Sequence, residues 1–418
     1  MDKGHVRMLD RLNRLLSAGG AAETKASATS SYGAGMAAVT RPAGPVWTPR
    51  DYGSLARAGY ERNVIAYRCI RMVAEAASST GLIVDADGET QSVHPLLSLL
   101  QRPNEEEAGV AFLERVFGYL QTSGNAYIEA VTLESQDGFE VRELHVLRPD
   151  RVKVRLGKNG WIEGYDYTVG GRTTTLRREP DGFCPVLHLK LFHPTNDHYG
   201  LSPLETGLAQ IDLHSASLAW NKALLDNAAR PSGALVYHGP QGAENLTAEQ
   251  FDRLKAELSD AYSGPINAGR PLVLDGGLDW KSMSLSPTDM DFQEAKNSAA
   301  REIALAFGVP PMLLGIRGDN TYSNYREANL AFWKQTVLPL VKKTAASLSG
   351  WLGPRFGGAT VRCDVAGVEA LSVERDALWT RVSEASFLTD AEKRQMLGLP
   401  ADASVAGDGR QEGQFSDG

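Results

Sequence analysis

The chain has 418 residues, room for about three domains at roughly 150 residues each, or two with long arms. Its 42% hydrophobic and 22% charged content is that of a folded chain and excludes a wholly disordered one. A net charge of −8 argues against a surface that grips nucleic-acid phosphates throughout.

Near the start, Met8, Leu12, Leu15 and Leu16 recur at helical spacing and are interrupted by charges, which suits a short amphipathic helix rather than a secretion signal. Ser17 to Pro45 is built from Ala, Gly, Ser and Thr and carries too little apolar surface to offset its ordering entropy, so a flexible arm is expected. Asn63 to Ser79 predicts the first long helix, and Ala108 to Thr122 a second, after the turn at Arg102-Pro103-Asn104. Strand-like runs follow at Ala126–Leu133, Val141–Leu147, Arg151–Leu156, Gly164–Thr168 and Val186–Phe192, separated by Gly and Asn turns. The first half therefore reads as helix mixed with antiparallel sheet.

At Ser202-Pro203-Leu204-Glu205 a cap, a first-turn proline and an acid three residues on announce a long helix, Leu204 to Asn227. It carries two apolar stripes, one through Leu204, Leu208, Ile211, Leu218 and Leu225, the other through Leu213, Trp220 and Leu224, so it needs neighbours on more than one side. A compact α/β insertion is expected next, with a strand at Ala234–His238, a helix at Ala248–Tyr262 and strands at Leu272–Leu274 and Leu278–Met283. A second long helix opens at Ser286-Pro287 and runs to Phe307, where Gly308-Val309-Pro310-Pro311 ends it. A polar loop, Gly315 to Asn324, leads into a third long helix with Leu330, Trp333, Val337, Val341, Ala345 and Leu348 on one face. Pro339 lies inside that helix and should kink it, because it cannot donate to the carbonyl of Gln335. Thr389-Asp390-Ala391-Glu392 is a capping box that opens a last helix, closed by Gly398 and Pro400.

Chemistry-bearing patterns are scarce. The three cysteines, Cys69, Cys184 and Cys363, are too dispersed for a Cys-x-x-Cys zinc site and argue against a disulfide framework. His188, His193 and His198 are spaced by fives, which puts no three ligands on one face. No lipase-type elbow, zincin motif or phosphate loop is present, and Ser202 is accounted for as a helix cap. The expectation is a protein with no catalytic residues, no metal and no cofactor. Arg151, Lys153 and Arg155 alternate with apolar residues, giving a strand with one core face and one cationic face. That face is either phosphate-directed or a solvated or subunit-facing surface. No stretch approaches the ~20 apolar residues of a bilayer crossing.

The order of elements and a series of short motifs resemble the portal proteins of tailed double-stranded-DNA bacteriophages, with relatives in gene transfer agents and prophages. The motifs are Asn63-Val64-Ile65-Ala66-Tyr67-Arg68-Cys69-Ile70, His94-Pro95-Leu96-Leu97 with Arg102-Pro103-Asn104, Gly124-Asn125-Ala126-Tyr127, and Leu147-Arg148-Pro149-Asp150-Arg151-Val152. Tyr199-Gly200-Leu201-Ser202-Pro203-Leu204 and Phe307-Gly308-Val309-Pro310-Pro311-Met312-Leu313-Leu314-Gly315 complete the series. The resemblance implies an α+β subunit of a ring, usually of twelve, at one capsid vertex. It implies a flexible arm over residues 1–50, an α+β wing over 51–203, a stem helix over 204–230, an α/β clip over 231–286 and a second stem helix over 287–308. A tunnel loop over 309–324, a kinked wing helix and strand over 325–367, a helical crown over 368–405 and a disordered tail over 406–418 would follow.

The tunnel loop would line the DNA channel with Ile316, Arg317, Gly318, Asp319, Asn320, Thr321, Tyr322, Ser323 and Asn324. The implied partners are other copies of the chain, the large terminase, a head-tail adaptor, the major capsid protein and double-stranded DNA passing without sequence specificity. Assembly would take place in the bacterial cytoplasm and the product would sit in a virion or phage-like particle, with no membrane involved. The charge distribution suits this. Leu204 to Asn227 carries Glu205, Asp212 and Asp226 against Lys222, and an acidic channel repels phosphate and lets DNA slide. A hydrolase or transferase lacks its acid–base constellation here, and a sequence-specific DNA binder is disfavoured by the acidic balance.

Overall fold

The computed structural model describes residues 47–135, 138–226, 233–237, 247–262, 278–282, 292–316 and 322–397. The expectations for the amino-terminal arm, the strand Leu272–Leu274, the cap at Ser286 and the tail lie outside them. The described chain opens with Tyr52–Leu55, capped by Asp51, and a wider π-helical turn, Ala56–Glu61. The first long helix, α1 (Val64–Ser79), follows. Asn63 caps it, its Oδ1 accepting the amides of Ile65 and Ala66 at 3.1 Å each. The strands β1 (Leu82–Ala86) and β2 (Glu89–Gln91) and the short helix α2 (Pro95–Gln101) lead to α3 (Gly109–Ser123). Helices α1 and α3 pack on each other through Ala66, Cys69, Ile70 and Val73 on one side and Phe112, Val116 and Phe117 on the other, all essentially dry. Each large side chain so buried contributes roughly 1.5–3 kcal/mol.

Two antiparallel sheets form the rest of the first half. One contains β3 (Asn125–Ser135) between β4 (Gly138–Leu147) and a later strand, β8 (Val186–Lys190). The other runs β5 (Val152–Leu156), β6 (Ile162–Val169), β7 (Arg172–Arg177) in sequence order. The expected strands are all present; β3, β4 and β6 are longer than expected, β5 starts one residue later and β8 ends at Lys190 rather than Phe192, and β1, β2 and β7 are additions.

The long helix expected over Leu204–Asn227 is divided. A first turn, Pro203–Thr206, is held by Ser202, whose hydroxyl accepts the Glu205 amide at 2.9 Å. At Gly207 the backbone moves to φ −84°, ψ 7°, and α4 (Leu208–Asp226) continues from there. Of the first apolar stripe, Leu204, Leu208 and Ile211 are buried, joined by His214 and Ser217. The strand β9 (Gly233–Tyr237), the helix α5 (Ala248–Tyr262) and the strand β10 (Leu278–Ser282) make the small insertion, β9 and β10 pairing antiparallel. Helix α6 (Phe292–Ala306) then packs against α4.

The third long helix begins at Tyr322, within the segment expected to be loop. It runs as α7 (Tyr322–Phe332), a π-helical turn Trp333–Val337, and α8 (Leu338–Leu352). The expected kink thus takes the form of a widened turn directly before Pro339, where the missing amide leaves the preceding carbonyls to find other partners. The strand β11 (Thr360–Cys363) pairs with β1, so residues from both ends of the described chain close one three-stranded sheet, order β11-β1-β2. Arg362 bridges to Asp85 across that seam, one guanidinium nitrogen 2.8 Å from Oδ1. Helices α9 (Ser372–Glu384) and α10 (Asp390–Met396) end the described chain, and the capping box read at Thr389 and Glu392 is formed in both directions.

Candidate functional site

The short motifs scattered along the sequence meet in space. Gly124 and Gly200 bring two backbones so close that a Cβ on Gly200 would lie 2.2 Å from the Gly124 carbonyl oxygen, which no side chain tolerates. Gly124 also adopts φ +71°, ending α3 in the left-handed region that glycine enters without cost. Next to it, Asn125 is a buried four-way connector. Its Oδ1 accepts from the Gly200 amide at 2.7 Å and pairs with His188 Nε2 at 3.0 Å. Its Nδ2 donates to the carbonyls of Ser123 at 2.8 Å and Gly200 at 3.3 Å. One side chain therefore fixes where the first turn at Pro203 leaves the β3–β8 sheet.

His188 is held among aromatics, stacked on Tyr127 at 4.3 Å between ring centroids and edge-on to Tyr165 at 5.8 Å. Burial, with Lys190 adding a smaller effect, pushes its pKa down to about 3, so the ring is neutral at physiological pH. A second polar junction ties α1 to α4. Asn63 Nδ2 reaches His214 Nδ1 at 3.2 Å, Ser215 Oγ at 3.3 Å and the Ile211 carbonyl at 3.4 Å. His214 is likewise held below its ordinary pKa by burial and then by Lys296 on α6. Asp212, one of the acids expected along the channel, accepts both the amide (2.9 Å) and hydroxyl (2.6 Å) of Thr48. Its carboxylate is thus engaged by the segment that precedes α1.

The candidate channel segment is built by what flanks it. Helix α6 ends in a Schellman turn: Gly308, at φ +64°, donates to Leu305 at 3.0 Å and Val309 donates to Ala304 at 2.9 Å. A 3-10 turn, Pro311–Leu314, stops at Gly315, which also sits at positive φ. From the other side Thr336, inside the π-helical turn, donates its hydroxyl to the Gly308 carbonyl at 2.6 Å. Both arms of the segment are tied at that point. Of the nine residues expected to line a channel, Ile316 is half-buried at the end of the turn and Arg317 to Thr321 lie outside the described residues. Tyr322, Ser323 and Asn324 form the first turn of α7, with Asn324 exposed.

A double-mutant cycle checks the tie. Thr336→Ala should cost about 1 kcal/mol through the lost hydrogen bond. Gly308→Ala should cost more, because its Cβ would approach Thr336 Oγ1 to 2.7 Å, and less when Thr336 is already alanine. Strict additivity of the two unfolding shifts would refute the contact. Among the described residues, no group of three or more His, Cys, Asp or Glu could hold a metal ion, and no helix is long and apolar enough to cross a membrane.

The residues that carry the motifs are therefore architectural connectors between sheet, long helices and loop, and comparison with known proteins places them in a class. The profile described as "Phage portal protein" matches residues 65–398. The chain therefore belongs to the phage portal protein family. It is 45% identical to a protein of Rickettsia bellii (strain RML369-C) over 345 residues, 82% of this chain and 88% of that one. It is 23% identical to the portal protein of Enterobacteria phage HK97 over 346 residues, 80% of this chain and 78% of that one. Among solved structures, a chain from the neck of an empty gene transfer agent (GTA) particle, computed with C6 symmetry, is 49% identical. It matches with a TM-score of 0.67 over 86% of this chain and 96% of that one. The same identity and coverage hold for the neck of the native particle computed with C12 symmetry, TM-score 0.65. An HK97-family portal protein from Corynebacterium diphtheriae, 14% identical, shares the fold at a TM-score of 0.55, over 78% of this chain and 97% of that one.

Proposed function

We propose that twelve copies of this chain form the ring-shaped DNA channel at one vertex of a gene-transfer-agent-like particle. The observation that carries this is the 49% identity, over nearly the whole of the matched chain, to a protein of a GTA particle neck; the phage relatives stand at 23–28%. The family is structural rather than enzymatic. In this reading the ring receives DNA from the large terminase, contacts the major capsid protein, and later seats a head-tail adaptor. The sheets and helices before Gly200 are the wing, α4 and α6 the stem, the β9–α5–β10 insertion the clip, and α9 with α10 the crown.

The exposed apolar residues support it. In the lone subunit Leu213 is 50% exposed and Leu218 39% on α4, and Leu305 on α6 is 77% exposed. A closed ring of head-to-tail contacts would supply such side chains with a neighbour on each side. Native mass measurement should find the twelve-subunit ring. Deleting Gly318 to Thr321, which leaves α7 its first residue, should preserve the ring and depress packaging or retention of DNA in particles. Particles filled as well as the parent would remove the channel role from this loop.

A further inference from the structure

The β5–β6–β7 sheet has one face in the core and one outside, and the outer face has a composition unlike the rest of this acidic chain. Its inner face buries Val152, Val154 and Tyr165 against Tyr127, Leu147 and Val186. Strand register sets the outward rows, of which one is the threonine pair Thr168 and Thr173 and two carry charge. In the first charged row, Lys153 lies opposite Asp166, which lies opposite Thr175; in the second, Arg155 lies opposite Gly164, which lies opposite Arg177. Lys153, Arg155, Thr175 and Arg177 are all exposed. The single acid in these rows, Asp166, is held by the Thr175 hydroxyl at 2.7 Å and by Arg155 at 3.5 Å.

Arg155 and Arg177 therefore stand on either side of a residue with no side chain, two strand spacings or about 9.5 Å apart. Gly164 is required there, since a Cβ would lie 2.5 Å from the Leu176 carbonyl oxygen. Gly164 itself is buried, so the exposed chemistry of this face is two guanidinium groups flanking a position without a side chain, with a lysine and a hydroxyl in the next row. Each guanidinium has the planar fork that takes two phosphate oxygens of one phosphate group. A protein partner would want buried aromatic or aliphatic anchors at the centre of its footprint, and these two rows offer none. A polyanion with a repeating charge needs only what the rows contain.

We propose that this outer face binds the phosphate backbone of double-stranded DNA, independently of the stem helices and the loop assigned to the channel. It is a gripping surface on the wing, complementary to a conduit that lets DNA slide. The two can be separated, because covalently closed circular duplex has no end to thread through a ring. The assembled wild-type protein should bind such circles at low salt, with log K falling linearly against log salt. Arg155→Gln with Arg177→Gln should weaken binding about tenfold or more near 0.1 M salt and reduce the magnitude of that slope by about two. Lys153→Gln alone should reduce it by about one and serves if the double variant misfolds, which its unfolding transition would reveal. Absence of circle binding by the wild type, or slopes unchanged in both variants, would overturn the proposal. Displacement of the DNA by polyglutamate at equal charge concentration would also overturn it, in favour of an acidic protein partner.

Discussion

Asn125→Ala is expected to lower the unfolding free energy of the subunit by about 3–5 kcal/mol. The reason lies in what would be left behind. Asn125 is 5% exposed and satisfies the Gly200 amide and carbonyl, the Ser123 carbonyl and one His188 nitrogen. Alanine is too short to replace any of them. Each buried group stranded without a partner costs roughly 1–3 kcal/mol. The bond between Leu191 and the Gly124 carbonyl at 2.9 Å would remain, so β8 stays attached while the chain leading to Pro203 loosens. Denaturant titration of the unassembled subunit measures the effect. A loss below about 1 kcal/mol, no more than a typical single hydrogen bond, would show that the junction is redundant.

What could be read from the sequence and what could not follows from the separation of the partners. Helix α5 has the bounds that its periodicity predicts, Ala248–Tyr262, because everything that shapes an amphipathic helix lies within a few residues. The capping box at Thr389 is equally local. The sheet β11-β1-β2 escapes such reading: its strands are three to five residues long, and β1 pairs with β11 across almost the whole folded chain. Pro339 marked the place of a distortion but not its kind. A missing amide can be met by a bend or by a wider turn, and the structure has the turn, Trp333–Val337. The candidate segment is legible as a glycine-containing polar stretch, whereas its anchors are not. Thr336 and Gly308 are ordinary residues until the structure places hydroxyl against carbonyl. The same holds for Asn125 and Gly200, whose motifs were visible separately but not as a pair.

Acidification should destabilise the subunit through its buried histidines, and His188 should dominate. In the unfolded chain the imidazole titrates near its ordinary value of 6.5, while in the folded chain burial holds it down to about 3. Between those values the unfolded state binds a proton that the folded state refuses, so stability is complete above about pH 6.5 and is lost as pH falls toward 3. At 1.36 kcal/mol per unit, bringing the pH from 6.5 to 4.5 should cost on the order of 2–3 kcal/mol through this group. His214 acts in the same direction for the same cause, being pressed down by burial and by Lys296. Glu129 opposes them: burial raises its carboxyl, with His145 partly countering, so its protonation favours the folded state as pH falls. His188→Phe separates the contributions, because phenylalanine keeps the stack on Tyr127 and has nothing to titrate. It should cost about 1 kcal/mol at neutral pH, where the bond to Asn125 is lost, and should make the stability profile between pH 6.5 and 4.5 markedly flatter. A variant whose profile falls as steeply as that of the wild type would assign the acid sensitivity to other groups. A flattened profile would mean that the junction joining the β3–β8 sheet to the turn that opens α4 is also the first to yield in acid.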